Sequence, residues 1–93
     1  MLTSILAAVD VTSKGIRVNC ICPSWVRTPM FEGECAKRPA TPDMTKALSP
    51  LGRVAEVDEV GNSIVYLLSP ASSYVSGVGL LIDAGLTLTL HLG

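Results

Sequence analysis

The sequence predicts an α/β fold in which short parallel strands alternate with helices. Two short apolar runs, at residues 16–22 and 78–82, have the length and composition of buried strands. Apolar residues at helical spacing precede the first run, and a second such set lies between the two runs. Strands that alternate with helices pair in parallel through right-handed crossovers, so we expect a parallel sheet.

The first helix is predicted over residues 1–13 and the first strand over residues 16–22. Gly15 separates them, because it suits the left-handed position just past a helix. Pro23 ends the strand, since proline has no N–H to donate to a ladder. Inside the strand the amide of Asn19 needs partners, and we interpret it as a tie to neighbouring loops.

The stretch over residues 29–50 is polar and rich in proline. It is predicted to be a loop apart from one short helix over residues 43–48, N-capped by Thr41 with Pro42 at the first helical position. So long a loop in a compact domain is typical of a lid or a binding loop, or else is disordered.

The strongest helix is predicted over residues 56–68, and residues 69–70 end it. Its apolar stripe marks a face for the core or for an interface: Val57, Val60, Gly61, Ile64, Leu67 and Leu68. The second strand follows at residues 78–82, a turn occupies residues 83–85, and an apolar tail completes the chain. Two strands alone are marginal, so residues 1–93 are interpreted as one partial domain, incomplete on its own.

Composition excludes several classes of partner. The net charge of −1 provides no basic stripe for nucleic acid, and no apolar run reaches the ~18 residues of a membrane span. The odd cysteine count, without paired spacing, indicates neither a disulfide framework nor a metal site. Cys20 and Cys22 are interpreted as core residues on one face of the first strand. Reduced thiols suggest a cytoplasmic location.

Three blocks of sequence, in the same order and at similar spacing, resemble the late part of the short-chain dehydrogenase/reductase family. They read GIRVNCICPSWVRTPM at residues 15–30, PLGRVAE then DEV within residues 50–60, and SYVSG then LLIDAG within residues 73–85. The resemblance implies the C-terminal portion of a Rossmann-type doubly wound parallel sheet. It also implies hydride transfer between a nicotinamide cofactor, NAD or NADP, and a small-molecule alcohol or carbonyl substrate.

The same resemblance implies a cofactor-binding loop after the first strand. The backbone at Val26 matches the position that meets the nicotinamide carboxamide, and the Thr28 hydroxyl matches one that bonds the cofactor. Pro23 matches the family's proline, whereas Ser24 stands where the family has glycine, and its Cβ sets the loop slightly further out. The alternative role for Thr28 is to cap the turn before Pro29.

The family's catalytic serine and its Tyr-x-x-x-Lys find no match in this sequence. Tyr66 is followed four positions on by Pro70, and Tyr74 by Val78. The glycines on either side of Val78 enter a strand instead of opening a helix, so they are interpreted as a tight turn and not as a pyrophosphate loop. We therefore assign no catalytic and no metal-binding residue, and we expect the isolated chain to be inactive.

Two functional hypotheses follow. As part of an oxidoreductase, the chain would supply the nicotinamide-side loop, a substrate lid over residues 29–50 and a surface for homo-oligomerisation. The apolar side of that lid would come from three residues: Phe31, Met44 and Leu48. As an interaction module, the chain would instead pair with a full-length relative or an upstream half through the open edge of its first strand. A third interpretation is an incorrect gene start at Met1.

Overall fold

The computed structural model describes residues 2–92, without the side chains of residues 2, 4 and 90–92. Five α-helices and two strands make up these residues, with three of the helices between the strands and short 3-10 turns after α1 and after α4. The elements are α1 (Leu2–Val11), β1 (Cys20–Pro23), α2 (Pro29–Lys37), α3 (Thr41–Leu48), α4 (Val57–Leu68), β2 (Gly79–Ile82) and α5 (Leu86–Leu92). No helix within residues 2–92 has the length and apolarity that crossing a membrane requires.

β1 and β2 form a two-stranded parallel sheet, which confirms the predicted pairing. The register places Cys20 opposite Gly79. The ladder continues at both ends, because the Cys20 N–H donates to the Val78 carbonyl at 3.0 Å and the Ser24 N–H donates to the Ile82 carbonyl at 3.2 Å. The loop that follows β1 therefore leaves from a fixed point at the carboxyl edge of the sheet.

Alternate peptide groups of β1 face β2. Cys20 and Ser24 donate their N–H groups to β2, and by the same alternation so does Cys22. The N–H of Ile21, and the position of Pro23, face the opposite edge. Pro23 is tolerated inside the strand for this reason, since the N–H it lacks would point away from β2.

The first strand is shorter than predicted, because its first half bonds to a turn and not to a strand. Gly77, at φ 84°, donates its N–H to the Val18 carbonyl at 2.7 Å. The Asn19 side chain accepts from the Val78 N–H at 3.0 Å and donates to the Val75 carbonyl at 3.1 Å. Side-chain bonds thus replace ladder bonds here, and the interpretation of Asn19 as a tie is confirmed.

The first helix ends where the sequence predicts. Residues Thr12–Lys14 tighten into a 3-10 turn. Gly15 follows at φ 83°, and its N–H donates to the Thr12 carbonyl at 3.0 Å. Glycine reaches this left-handed conformation without the steric cost of a Cβ, so the chain reverses toward β1.

The prediction of a loop over most of residues 29–50 is wrong, because two helices occupy this segment. The Thr28 hydroxyl accepts from the Phe31 N–H at 3.2 Å and so caps α2, which begins at Pro29. The predicted short helix is present as α3, but Thr41 lies inside it and Ala40 is its N-cap. The pair of helices is short of apolar residues, so hydrophobic spacing gave no signal for α2.

α4 confirms its prediction and begins with a reciprocal cap. The Glu56 side chain accepts from the Glu59 N–H, and the Glu59 side chain accepts from the Glu56 N–H at 2.9 Å. Two orphan donors of the first turn are satisfied in this way. The helix ends at Ser69, before Pro70, as expected.

The predicted apolar tail is helical, which corrects the prediction. Asp83 caps this last helix, α5. Its carboxylate accepts from the Gly85 N–H at 2.9 Å, the Thr87 N–H at 3.0 Å and the Thr87 hydroxyl. Carboxylate acceptors suit the first turn of a helix, where the dipole is positive.

The core of the described residues is small. Its buried hydrophobic side chains are Ala8, Val54 and Leu67. The radius of gyration is 15.9 Å, whereas a compact chain of this length has a radius of about 12 Å. Half of the apolar stripe of α4 is exposed, with Ile64 at 41% and Leu68 at 79%. Leu67 is the buried member of the stripe, and the remaining members are half-buried.

Candidate functional site

The loop after β1 lies at the carboxyl edge of the parallel sheet, which is where ligands bind in α/β proteins. Its predicted site residues are Pro23 and Ser24 at the end of the strand, then Val26 and Thr28. Pro23 and Ser24 are exposed, whereas Val26 and Thr28 are half-buried. The structure therefore brings all four residues to one edge but in two different environments.

Val26 is held by backbone bonds on either side of it. The Ala55 N–H donates to the Trp25 carbonyl at 3.0 Å, and the Arg27 N–H donates to the Ala55 carbonyl at 2.8 Å. In a parallel bridge of this kind the flanking residues make the bonds, so the N–H and carbonyl of Val26 itself point away from Ala55. A carboxamide has one N–H donor group and one carbonyl acceptor, so a free backbone carbonyl and a free backbone N–H side by side are complementary to it.

Thr28 performs the capping role that the sequence offered as its alternative. Its oxygen accepts from the Phe31 N–H at the start of α2. A hydroxyl that accepts one bond still has a proton to donate, so capping and cofactor contact are compatible. The cofactor role of Thr28 stays a prediction.

Ser24 lines a cavity of about 310 Å³ between the sheet and the first turns of α4. Three charged side chains line the cavity around an apolar floor from β2: Arg53, Glu59 and Asp83. The Asp83 pKa is lowered, chiefly because the Thr87 hydroxyl and then the Thr87 N–H donate to the carboxylate. The polar wall is therefore ionised and already bonded within the protein.

Two ion pairs lie near the base of the loop, and neither was predicted from the sequence. The Arg27 Nε lies 2.9 Å from Glu56 Oε1. Arg53 binds Glu59 with both arms of its guanidinium, at 2.7 and 3.0 Å. The bond from Arg53, followed by the Glu56 N–H, lowers the pKa of Glu59 to about 2. The carboxylate pair three residues apart at the start of a helix was the signal that could have revealed them.

Similar architecture is found among solved structures. An oxidoreductase of the short-chain dehydrogenase/reductase family from Burkholderia thailandensis matches 98% of this chain and 39% of that chain, with a TM-score of 0.85 and 28% identity. A dehydrogenase from Agrobacterium tumefaciens, whose structure holds bound NADP, matches 92% of this chain and 35% of that chain, with a TM-score of 0.85 and 29% identity. The fold is thus Rossmann-type, as predicted.

Sequence comparison gives the family. A family profile described as enoyl-(acyl carrier protein) reductase matches residues 3–87. The short-chain dehydrogenase virB of Hypocrea virens is 45% identical over 85 residues, which are 91% of this chain and 34% of that protein. The chain belongs to the short-chain dehydrogenase/reductase family, which confirms the resemblance. It spans about a third of the length of the curated relatives it matches.

Proposed function

We propose that this chain forms the nicotinamide-side wall of an NAD(P)-dependent oxidoreductase site for a small alcohol or carbonyl substrate. The observation that carries the proposal is the backbone of Val26 at the carboxyl edge of the sheet, because its N–H and its carbonyl both point away from Ala55. A neighbour in structure holds NADP, which supports a nicotinamide cofactor, and NAD remains the alternative.

The residues of the loop fit one end of such a cofactor. Val26 would hold the carboxamide through its N–H and carbonyl, and Thr28 would donate its hydroxyl proton to the cofactor. The bound nicotinamide would supply the hydride acceptor or donor. Arg27 and Glu56 anchor the loop, so the ring would be oriented against a fixed backbone.

The α2–α3 segment is proposed as the substrate lid. Exposed apolar side chains lie along it, with Met30 at 82%, Leu48 at 50% and Met44 at 49%. Apolar side chains of this kind line pockets for small organic substrates. The Val26–Ala55 bridge joins the two stretches of chain that lead into and out of this segment, and we propose that the segment closes as a unit over the carboxyl edge.

The proposal gives this chain a binding role without turnover of its own. It assigns no proton-transfer residue among residues 1–93, because neither tyrosine is followed by the required lysine. Its three free thiols are in keeping with a reducing compartment, and we propose the cytoplasm. We also propose α4 and β2 as the contact surface of a homo-oligomer.

The test supplies the missing part of the fold from a relative. The amino-terminal two thirds of the Hypocrea virens dehydrogenase is mixed with this chain, and NADPH and NADH binding is followed by fluorescence. Saturable binding by the mixture, with no turnover by this chain alone, is expected. Binding that is equal with and without this chain would overturn the proposal.

Variants at Thr28 separate its two roles. Thr28→Ser keeps both the cap and the proton, Thr28→Asp keeps the cap only, and Thr28→Val keeps neither. We expect Thr28→Ser to bind NADPH as the unmodified chain does, and the other two to bind about tenfold more weakly, the value of one good hydrogen bond. If Thr28→Val were the one variant that weakened NADPH binding, the role of Thr28 would be to cap α2. Thr3→Val, on the exposed start of α1, is the matched control.

A second candidate function is an interaction module, and the open edge of β1 favours it. Among residues 2–92 β1 pairs with β2 on one side only. A cavity of about 380 Å³ lies beside it, lined on the helix side by Ile64, Leu67 and Leu68. An exposed strand edge next to apolar surface seeks another strand. Sedimentation that shows a lone monomer with no affinity for the relative's amino-terminal part would exclude this function.

A further inference from the structure

The loop around Val26 takes its position from a short extended stretch that precedes α4. Backbone bonds join Ala55 to Trp25 and to Arg27, and these bonds direct the N–H and the carbonyl of Val26 outward. Val54, one of the buried hydrophobic side chains, anchors the stretch on the side of the core. The position of the loop therefore depends on what holds the residues on either side of this stretch.

A single carboxylate binds the residues just before and just after the stretch. Both terminal nitrogens of Arg53 donate to Glu59, with Nη1 2.7 Å from Oε1 and Nη2 3.0 Å from Oε2. The same Oε1 of Glu59 accepts from the Glu56 N–H at 2.9 Å. Arg53 Nη1 also donates to the Val54 carbonyl at 3.2 Å. Residues 54 and 55 are thus held between two contacts with one side chain in the first turn of α4.

The backbone of Arg53 also contacts the end of the α2–α3 segment. The Ser49 hydroxyl donates to the Arg53 carbonyl at 2.6 Å, and Ser49 is the C-cap of α3. Arg53 therefore lies where the proposed lid ends and where the stretch that pairs with the Val26 loop begins.

Contact with a bound anion is the alternative role for Arg53, because its side chain lines the cavity of about 310 Å³. Both terminal nitrogens already donate to Glu59, so an anion would have to displace that carboxylate. The two side chains are each 45% exposed. Exposed ion pairs are generally weak, and two-armed geometry of this kind is the exception. The contacts therefore favour a role in which Arg53 holds the protein backbone.

We propose that Arg53 is a positioning residue for the nicotinamide end of the cofactor and that it acts through Glu59. Their two-armed contact fixes the stretch that contains Ala55, and Ala55 directs the polar groups of Val26. Arg53 itself contacts no cofactor atom. The role rests on the proposed function, which places the nicotinamide carboxamide against Val26.

The binding experiment separates the two ends of the cofactor. The full 93-residue chain is mixed with the amino-terminal two thirds of the Hypocrea virens dehydrogenase. Calorimetry compares NADPH and NADH with the same molecules without nicotinamide, which are 2′-phospho-ADP-ribose and ADP-ribose. We expect Arg53→Met to bind the tighter cofactor about fivefold more weakly, the upper range for an exposed ion pair, and to bind its shortened form as the unmodified chain does.

Two further variants accompany this comparison. Arg53→Lys keeps the charge without the two-armed fork, so its affinity should lie between those of Arg53→Met and the unmodified chain. Lys14→Met removes the same charge from the exposed turn before β1 and should bind both ligands as the unmodified chain does.

Three outcomes of the binding experiment are decisive. Cofactor affinity of Arg53→Met within twofold of the unmodified chain would overturn the role of Arg53. An equal loss for the cofactor and for its shortened form would also overturn it, because Arg53 would then support the whole fold. A mixture with the unmodified chain that binds neither cofactor better than the relative's part alone would instead overturn the proposed function.

Amide exchange in the isolated chain tests the positioning of the loop without any cofactor. Arg53→Met should speed exchange at the Arg27 and Ala55 amides about fivefold. It should leave the Cys20 amide, which donates to the Val78 carbonyl, unchanged. Equal acceleration at all three amides, or none at Arg27 and Ala55, would contradict the positioning role even if the proposed function failed in the binding experiment.

Discussion

At the scale of single residues, one backbone conformation stands out as costly. Ala84 has φ 54°, and it is the one non-glycine residue with positive φ in the described part of the chain. The left-handed region costs an L-residue with a Cβ about 1–2 kcal/mol. The residue sits in the turn between β2 and α5, where the following Gly85 is also left-handed.

Replacement of this alanine should therefore stabilise the chain. Ala84→Gly relieves the Cβ contact, and we expect the free energy of unfolding to rise by about 1 kcal/mol. Urea unfolding followed by circular dichroism measures it. Ala7→Gly, in the middle of α1, is the control and should lower the same quantity by about 1 kcal/mol. A fall for both variants would show that the turn is not strained.

Glu59 makes stability depend on pH in the acid range. Its pKa is about 2 in the folded chain and 4.5 as its ordinary value, chiefly because of its bond to Arg53. A lowered pKa contributes stability above the unfolded value, and that contribution is lost as pH falls from about 4.5 to about 2. We expect Glu59→Gln to flatten the acid limb of a plot of urea midpoint against pH. Glu32→Gln, on the surface of α2, should leave that limb in place.

At the scale of elements, helical spacing predicted α1 and α4, whereas local hydrogen bonds determined the elements that were missed. α2 has few apolar residues and starts because Thr28 caps it. α5 starts because Asp83 accepts one bond from Gly85, just before the helix, and two from Thr87 in its first turn. Neither helix has a periodic apolar face that residue patterns could reveal. Capping side chains were visible in the sequence, but they have the same residue types as ordinary turns.

The same scale explains the loop sites. The family resemblance indicated Val26 and Thr28, yet the sequence could not show that Ala55 bridges to the loop, because the two lie far apart in the chain. The half-exposed pair between Arg27 and Glu56 adds to that bridge. Exposed ion pairs are weak individually, so this pair refines the position of the loop and does not create it.

Removal of the pair should loosen the loop without unfolding it. In Arg27→Met we expect the amide hydrogens of residues 27 and 55 to exchange about two- to fivefold faster, the range that an exposed ion pair accounts for. Exchange followed by NMR measures both amides. Arg38→Met breaks the longer 3.8 Å contact with Glu34 and should leave both amides unchanged. Equal exchange in Arg27→Met and in the unmodified chain would contradict the role of the pair.

At the scale of the whole molecule, the described residues form an open arrangement. The extents are 49 × 30 × 22 Å, and few hydrophobic side chains are buried. Burial of apolar surface is the main force that stabilises a fold. Contact of further polypeptide with the exposed apolar side chains of α4 would therefore stabilise the chain. The oxidoreductase proposal and the interaction-module proposal share this feature. In both of them a further stretch of polypeptide would cover the open edge of β1 and the apolar side chains of α4 beside it.

The Ile21 amide reports on that edge. It faces away from β2, whereas the neighbouring Cys22 amide faces β2, so in the isolated chain we expect Ile21 to exchange much faster than Cys22. Addition of the amino-terminal two thirds of the Hypocrea virens dehydrogenase should slow exchange at Ile21 and leave Cys22 little changed, because only the outer edge gains a partner. Exchange at Ile21 that is already as slow as at Cys22 in the isolated chain would mean that the edge is covered, for instance by a second copy. Dilution would then restore fast exchange, and its failure to do so would contradict the open edge itself.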